Sequence, residues 1–126
     1  MNSTILYIED NFDNRMLVRR VLEAEGYRVV EAEDGRQGIE WLGLETPDLV
    51  LVDINLPEMD GYEITKRLKQ LPSMADVPVI AMTANVMRGD REKTIAAGCD
   101  GYIPKPIDID VLPEDISRFL RKRHEG

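Results

Sequence analysis

Five short apolar runs, rich in β-branched residues, are spread along the chain, and longer segments with helical spacing separate them. Short strands that are apolar throughout are typical of a parallel sheet covered by helices, because both sides of each strand are then buried. The alternation therefore predicts an α/β fold with one parallel sheet. The five predicted strands cover residues 4–8, 28–31, 49–53, 77–82 and 101–103.

The segments between the strands predict helices of unequal quality. Leu17, Val18, Val21 and Leu22 form an apolar stripe that predicts a helix facing the core. The segment 87–97 instead carries mostly charged residues. We therefore expect this fourth helix to be the least firmly packed element.

Length and composition limit the function classes. A chain of 126 residues with 43% hydrophobic content predicts one domain, 1–126. The net charge of −8 argues against nucleic-acid binding, which requires clustered cations. A single cysteine, no secretory signal pattern and no apolar run near the ~20 residues that span a bilayer predict a cytoplasmic protein without a membrane partner.

Chemistry-bearing residues follow the predicted strands at their carboxyl ends, where ligands bind in open α/β sheets. The first strand is followed by Glu9 and Asp10, the third ends in Asp53, the fourth is followed by Thr83, and the fifth leads to Lys105. Two adjacent acids repel each other unless water or a cation lies between them. We therefore expect a cation at this edge of the sheet.

The cation that suits these acids is Mg²⁺, a hard ion that binds carboxylates and is often shared with a phosphate. We expect Asp10, Asp53 and the backbone carbonyl of Asn55 to bind it, with Glu9 acting through water. Asp53 is then the candidate nucleophile for a phosphoryl group. Lys105 and Thr83 are placed to contact two of the phosphoryl oxygens.

Four motifs carry a resemblance to a known family over essentially the whole chain. They are "IEDN" at 8–11, "LVDINLPEMDG" at 51–61, "IAMTAN" at 80–85 and "GYIPKPI" at 101–107. In this order and spacing they resemble the receiver domain of bacterial two-component response regulators. With no linker or output domain in the chain, the match is to stand-alone regulators of the DivK or chemotaxis type, although a piece of a larger hybrid protein stays open.

The resemblance implies a flavodoxin-like, doubly wound sheet of order 2-1-3-4-5 flanked by five helices. It also implies phosphorylation of Asp53 by a histidine kinase or a phosphotransfer protein, with a downstream protein as target. In such receivers Thr83 moves toward the phosphoryl group and Tyr102 turns inward. The face of the fourth helix, fifth strand and fifth helix then changes partners. A cis bond before Pro106 and a monomer or weak dimer are further expectations.

Other functions sharing part of this pattern are less consistent with it. A haloacid-dehalogenase type of phosphatase needs a second aspartate where this chain has Asn55, and a flavodoxin-like flavin site needs a phosphate cradle where Glu9 and Asp10 would repel the ligand. The alternative that stays open is a receiver-like docking module that works without phosphorylation. We expect a signalling protein that catalyses only its own phosphorylation and dephosphorylation, and not a turnover enzyme.

Overall fold

The computed structural model describes residues 3–54, 61–83, 92–93 and 95–125. Within them, five strands form one parallel sheet in the order β2-β1-β3-β4-β5. Both the parallel sheet and the implied strand order are thereby confirmed. The strands are β1 Thr4–Ile8, β2 Arg28–Ala32, β3 Leu49–Asp53, β4 Val79–Thr83 and β5 Gly101–Pro104.

Four α-helices are present among the described residues, where the resemblance implies five. The predicted fourth helix, 87–97, lies mostly outside the described residues, although residues 92, 93, 95 and 96 of it are helical. No helix of the described part is long and apolar enough to cross a membrane. The helices are α1 Phe12–Ala24, α2 Gly35–Leu42, α3 Gly61–Lys69 and the C-terminal helix Leu112–Glu125, with a short 3-10 helix at Pro72–Met74.

The sheet separates two apolar clusters, because successive side chains of a strand point to opposite faces. On β1, Ile5 and Tyr7 belong to the cluster packed against α1 and the C-terminal helix. Leu6 and Ile8 belong to the cluster packed against α2 and α3. The described helices therefore pack against both faces of the sheet and not across the carboxyl ends of its strands.

Helix α1 starts at a capping residue and buries one unexpected charge. The Asn11 side chain accepts a hydrogen bond from the Asn14 backbone N–H at 2.8 Å, which satisfies one of the donors left free at a helix start. The buried stripe consists of Arg15, Val18 and Leu22. The predicted stripe was wrong at Leu17, which is 40% exposed. The buried face begins instead at Arg15, whose guanidinium is paired with Glu31.

At the amino edge of the sheet, side chains complete the hydrogen bonding of the strand starts. Asp48 accepts from the backbone N–H of Thr4 at 2.7 Å. One Asp100 oxygen accepts from the Val79 N–H and from Lys69 Nζ, both at 2.8 Å. Lys69 Nζ also donates to the Val77 carbonyl at 2.9 Å. Each of these buried ends thus has a partner of opposite polarity.

The β5 strand lies at one side of the sheet and ends in Pro104. The next residue, Lys105, donates its backbone N–H to the Thr83 carbonyl of β4 at 2.7 Å. This bond holds the residue after β5 against the end of β4. It fixes where the Lys105 side chain leaves the sheet.

Candidate functional site

Three carboxylates meet at the carboxyl edge of the sheet. Glu9 and Asp10 follow β1, and Asp53 ends β3. Because Ile8 of β1 lies beside Val52 of β3 in register, the residues that follow each of them are also neighbours. One ligand atom from each acid lies within 4.8 Å of the others. Glu9 and Asp53 are buried, whereas Asp10 is exposed and faces solvent.

Lys105 brings a single positive charge to the two buried acids. Its Nζ lies 3.1 Å from Asp53 Oδ1 and 3.3 Å from Glu9 Oε1, and its side chain is 18% exposed. One ammonium carries less charge than two ionised carboxylates. This contact therefore leaves a negative charge that a further cation can balance.

Two residues of α1 fix Glu9, and the sequence reasoning missed both. Asn14 Nδ2 donates to Glu9 Oε1 at 2.7 Å, and Arg15 Nη1 donates to the Glu9 backbone carbonyl at 2.8 Å. Arg15 is held in turn by Glu31, at 3.4 Å from its Nε. Arg15 lies three residues before Val18 and seven before Leu22, which places it on the buried helix face, but its charge argues against burial.

The environment of Glu9 disfavours its charged form. Burial, followed by hydrogen bonding with Asp53 and the charge of Asp53, raises the pKa of Glu9 to about 7, against the opposing effects of Asn14 and Lys105. A cation bound among the acids would reverse this balance, because it favours the ionised carboxylate.

The donor set fits a hard divalent cation. Glu9 Oε2 is buried and has no hydrogen-bond partner among the described residues, although Oε1 of the same group has two. Buried carboxylate oxygens without a partner are costly unless a ligand uses them. Oxygen ligands from Glu9, Asp10 and Asp53 suit Mg²⁺, which keeps part of its water shell.

The other predicted site residues lie nearby with different exposure. Thr83 ends β4, is buried, and lies beside Pro104 in register. Tyr102 on β5 is 37% exposed. The peptide bond between Lys105 and Pro106 is cis, the isomer that the resemblance favours. The backbone carbonyl of Asn55 lies outside the described residues.

Gly61 explains how α3 can start directly beneath the nucleophile candidate. A Cβ at this position would lie 2.6 Å from the Asp53 carbonyl oxygen and 2.6 Å from Ile54 Cα. The Gly61 N–H donates to the Ile54 carbonyl at 3.0 Å. Only glycine allows this close approach, which packs the helix start against the strand end.

A sequence model of the family described as "Response regulator receiver domain" matches residues 5–117. The chain belongs to this family. Receiver domains are phosphoacceptor signalling switches of two-component systems, and this is the function of the chain. The alternative of a docking module that works without phosphorylation is not favoured by the relatives.

Relatives match the receiver domain over nearly its full length. The chain is 39% identical over 120 residues to the polar-differentiation response regulator DivK of Brucella ovis, covering 95% of this chain and 98% of the relative. The receiver domain of a Pseudomonas aeruginosa sensor histidine kinase is 34% identical, with a TM-score of 0.88, covering 96% of this chain and 99% of that chain. The structure of that receiver has a magnesium ion coordinated in its active site cleft.

A more distant structure supports the fold alone. The chemotaxis response regulator CheY4 of Vibrio cholerae has a TM-score of 0.90 at 24% identity, covering 94% of this chain and 99% of that chain. The receiver sheet and its helices are therefore kept even where most side chains differ.

Proposed function

We propose that Asp53 is the phosphoacceptor of this receiver domain, and that Glu9, Asp10 and Asp53 hold the Mg²⁺ that transfer requires. The observation that carries the proposal is that one ligand atom from each of the three acids lies within 4.8 Å of the others, while Lys105 contacts Glu9 and Asp53. When bound, the metal supplies neutralisation of the phosphoryl charge. The Mg²⁺-containing receiver of the Pseudomonas aeruginosa kinase supports the same assignment here.

In the proposed step an Asp53 oxygen attacks the phosphorus atom of the donor. The bond from phosphorus to the donor's histidine nitrogen breaks as the bond to the aspartyl oxygen forms, and the imidazole leaves. Lys105 Nζ, already 3.1 Å from Asp53 Oδ1, stays beside the acceptor to neutralise one phosphoryl oxygen. Thr83 at the neighbouring strand end donates its hydroxyl to another.

The donor we propose is a sensor histidine kinase or a phosphotransfer protein. The output is binding of a downstream protein, which changes after Thr83 moves toward the phosphoryl group and Tyr102 turns inward. Tyr102 is 37% exposed, so part of its ring lies in solvent before the proposed inward turn. We further propose that residues 1–126 act as a single cytoplasmic domain, as a monomer or weak dimer.

The site assignment is tested by intact mass spectrometry after incubation with acetyl phosphate, with and without Mg²⁺. We expect a Mg²⁺-dependent gain of one phosphoryl group in the unmodified chain and none in Asp53→Asn. Asp100→Asn is the matched control, because Asp100 lies at the opposite edge of the sheet. Undiminished labelling of Asp53→Asn would contradict the assignment.

Lys105→Met separates transfer from signalling. We expect this variant still to be labelled, because Asp53 and the other acids remain, but we expect phosphorylation no longer to alter partner binding. Lys69→Met, which removes a lysine from the amino edge, should keep both properties. The measurement is binding of the cognate partner to labelled and unlabelled protein. A phosphorylation-dependent change in Lys105→Met equal to that of the unmodified chain would remove Lys105 from the switch.

A further inference from the structure

Two buried side-chain atoms of the described residues have no hydrogen-bond partner, and both belong to residues at the end of β1. They are the hydroxyl of Tyr7 and Oε2 of Glu9. Buried polar atoms are almost always paired, so an orphaned atom needs an explanation. Because the two atoms belong to side chains two residues apart, one explanation can account for both.

The path of the strand brings the two groups to the same place. Residues two apart in a strand project from the same face, about 6.6 Å apart along the chain. The Tyr7 side chain is fully buried in the apolar cluster under α1 and the C-terminal helix. Among the described residues, no acceptor in or around that cluster pairs with the hydroxyl.

The hydroxyl of a tyrosine is a hydrogen-bond donor at neutral pH. The Tyr7 hydroxyl lies near the Glu9 carboxylate, yet neither the hydroxyl nor Glu9 Oε2 reaches good hydrogen-bond geometry with a described residue.

The two oxygens of Glu9 are used differently. Oε1 accepts from Asn14 and from Lys105, which leaves Oε2 as the oxygen that can bind a cation or its water. Carboxylates that bind metals are commonly oriented by such outer hydrogen bonds.

We propose that Tyr7 is a positioning residue: when the divalent cation is bound, its hydroxyl donates to Glu9 Oε2 and thereby orients this carboxylate toward the cation. This inference rests on the proposed metal site. The opposing interpretation is that the Tyr7 ring only fills the core and that its hydroxyl has no role.

The test compares Tyr7→Phe, which removes the hydroxyl and keeps the ring, with Tyr27→Phe. Tyr27 is the matched control, because it is a partly buried tyrosine packed against the same apolar cluster. Calorimetric titration with Mg²⁺ should give about tenfold weaker affinity for Tyr7→Phe and an unchanged affinity for Tyr27→Phe. The unfolding temperature of metal-free Tyr7→Phe should not fall, because no formed hydrogen bond is lost.

A Mg²⁺ affinity of Tyr7→Phe within twofold of the unmodified chain would overturn the inference and leave the metal site intact. Failure of the unmodified chain to bind Mg²⁺ would instead overturn the proposed metal site, and the inference with it. The effect should also require Glu9. In a Glu9→Gln background, adding Tyr7→Phe should not weaken Mg²⁺ binding further, and a second tenfold loss would show that Tyr7 does not act through Glu9.

Discussion

The two edges of the sheet use the same residue types in opposite ways. At the amino edge, Lys69 and Asp100 contact each other and also the backbone groups of the strand starts. At the carboxyl edge, Lys105 contacts two buried acids, and one oxygen of Glu9 is left without a partner among the described residues. The amino edge pairs its charged groups with each other and with the backbone, whereas the carboxyl edge leaves one buried oxygen that a ligand can use. An unsatisfied charge balance therefore marks the functional edge.

The largest difference between the edges should appear when each lysine is removed. Lys105→Met leaves two buried acids facing each other and should lower the free energy of unfolding of the metal-free protein by about 3 kcal/mol at pH 8. Lys69→Met should lower the free energy of unfolding by only about 1 kcal/mol, because Asp100 still accepts a hydrogen bond from the Val79 N–H. Urea unfolding measures both values. Equal losses would contradict the proposed difference between the edges.

Asp100→Ala tests whether the amino edge is purely structural. The change leaves the N–H of buried Val79 without its acceptor, so we expect a loss of about 2 kcal/mol in the free energy of unfolding. Labelling by acetyl phosphate should be unaffected. Asp100→Asn is the control, since its amide oxygen can still accept and the loss should be smaller. Impaired labelling of folded Asp100→Ala would show that the two edges are coupled.

Glu9→Gln should stabilise the metal-free protein, the opposite of a change at the amino edge. The pKa of Glu9 is raised from 4.5 to about 7, so the folded state holds this proton more tightly than the unfolded chain does. The contribution of Glu9 to stability is therefore complete below pH 4.5 and is lost as the pH rises through 7. At pH 8 we expect Glu9→Gln to raise the free energy of unfolding of the metal-free protein by about 1–2 kcal/mol.

The gain of Glu9→Gln should disappear near pH 4, where the carboxyl of Glu9 is protonated and resembles the amide. Thermal unfolding of both proteins across this pH range, without divalent cations, gives the comparison. A gain that does not depend on pH would show that the ionisation of Glu9 is not its source.

The smallest effect is expected at a surface pair that belongs to neither edge. Arg36 lies 3.2 Å from Glu40 on α2, and both side chains are mostly exposed. Arg36→Gln should change the free energy of unfolding by less than about 0.5 kcal/mol, because water and salt screen the pair. The same urea measurement provides the baseline for the variants above. A loss as large as that of Lys69→Met would mean that exposed pairs on this protein cannot be neglected.

The sequence predicted the sheet well because its signals are local. The predicted bounds of β1 and β3 match the observed ones, since an unbroken apolar run ends at a charged residue in both cases. Val77 was wrongly included in β4, which starts at Val79 after Pro78. Proline lacks the backbone N–H needed for the sheet, and it delays the strand start.

The site was only partly predictable, because its supporting contacts depend on how side chains reach across elements. The strand-ending acids and Lys105 could be identified from the direction of parallel strands alone. Arg15 binds the Glu9 carbonyl across a turn, and a cation on a buried helix face is contrary to simple amphipathic patterning. Tyr7 lies inside the predicted strand 4–8, and nothing in a sequence shows which group its hydroxyl will meet.

Pro104 limits how a partner can engage the side of the sheet where β5 lies. The backbone N–H groups of successive strand residues point to opposite sides, and the N–H of Lys105 points toward β4. The N–H of residue 104 would therefore point away from the sheet, but this residue is a proline and has none. An incoming strand would meet an interrupted row of donors, which disfavours extension of the sheet into a second molecule. Recognition on this flank therefore relies on shape and side chains more than on backbone hydrogen bonds.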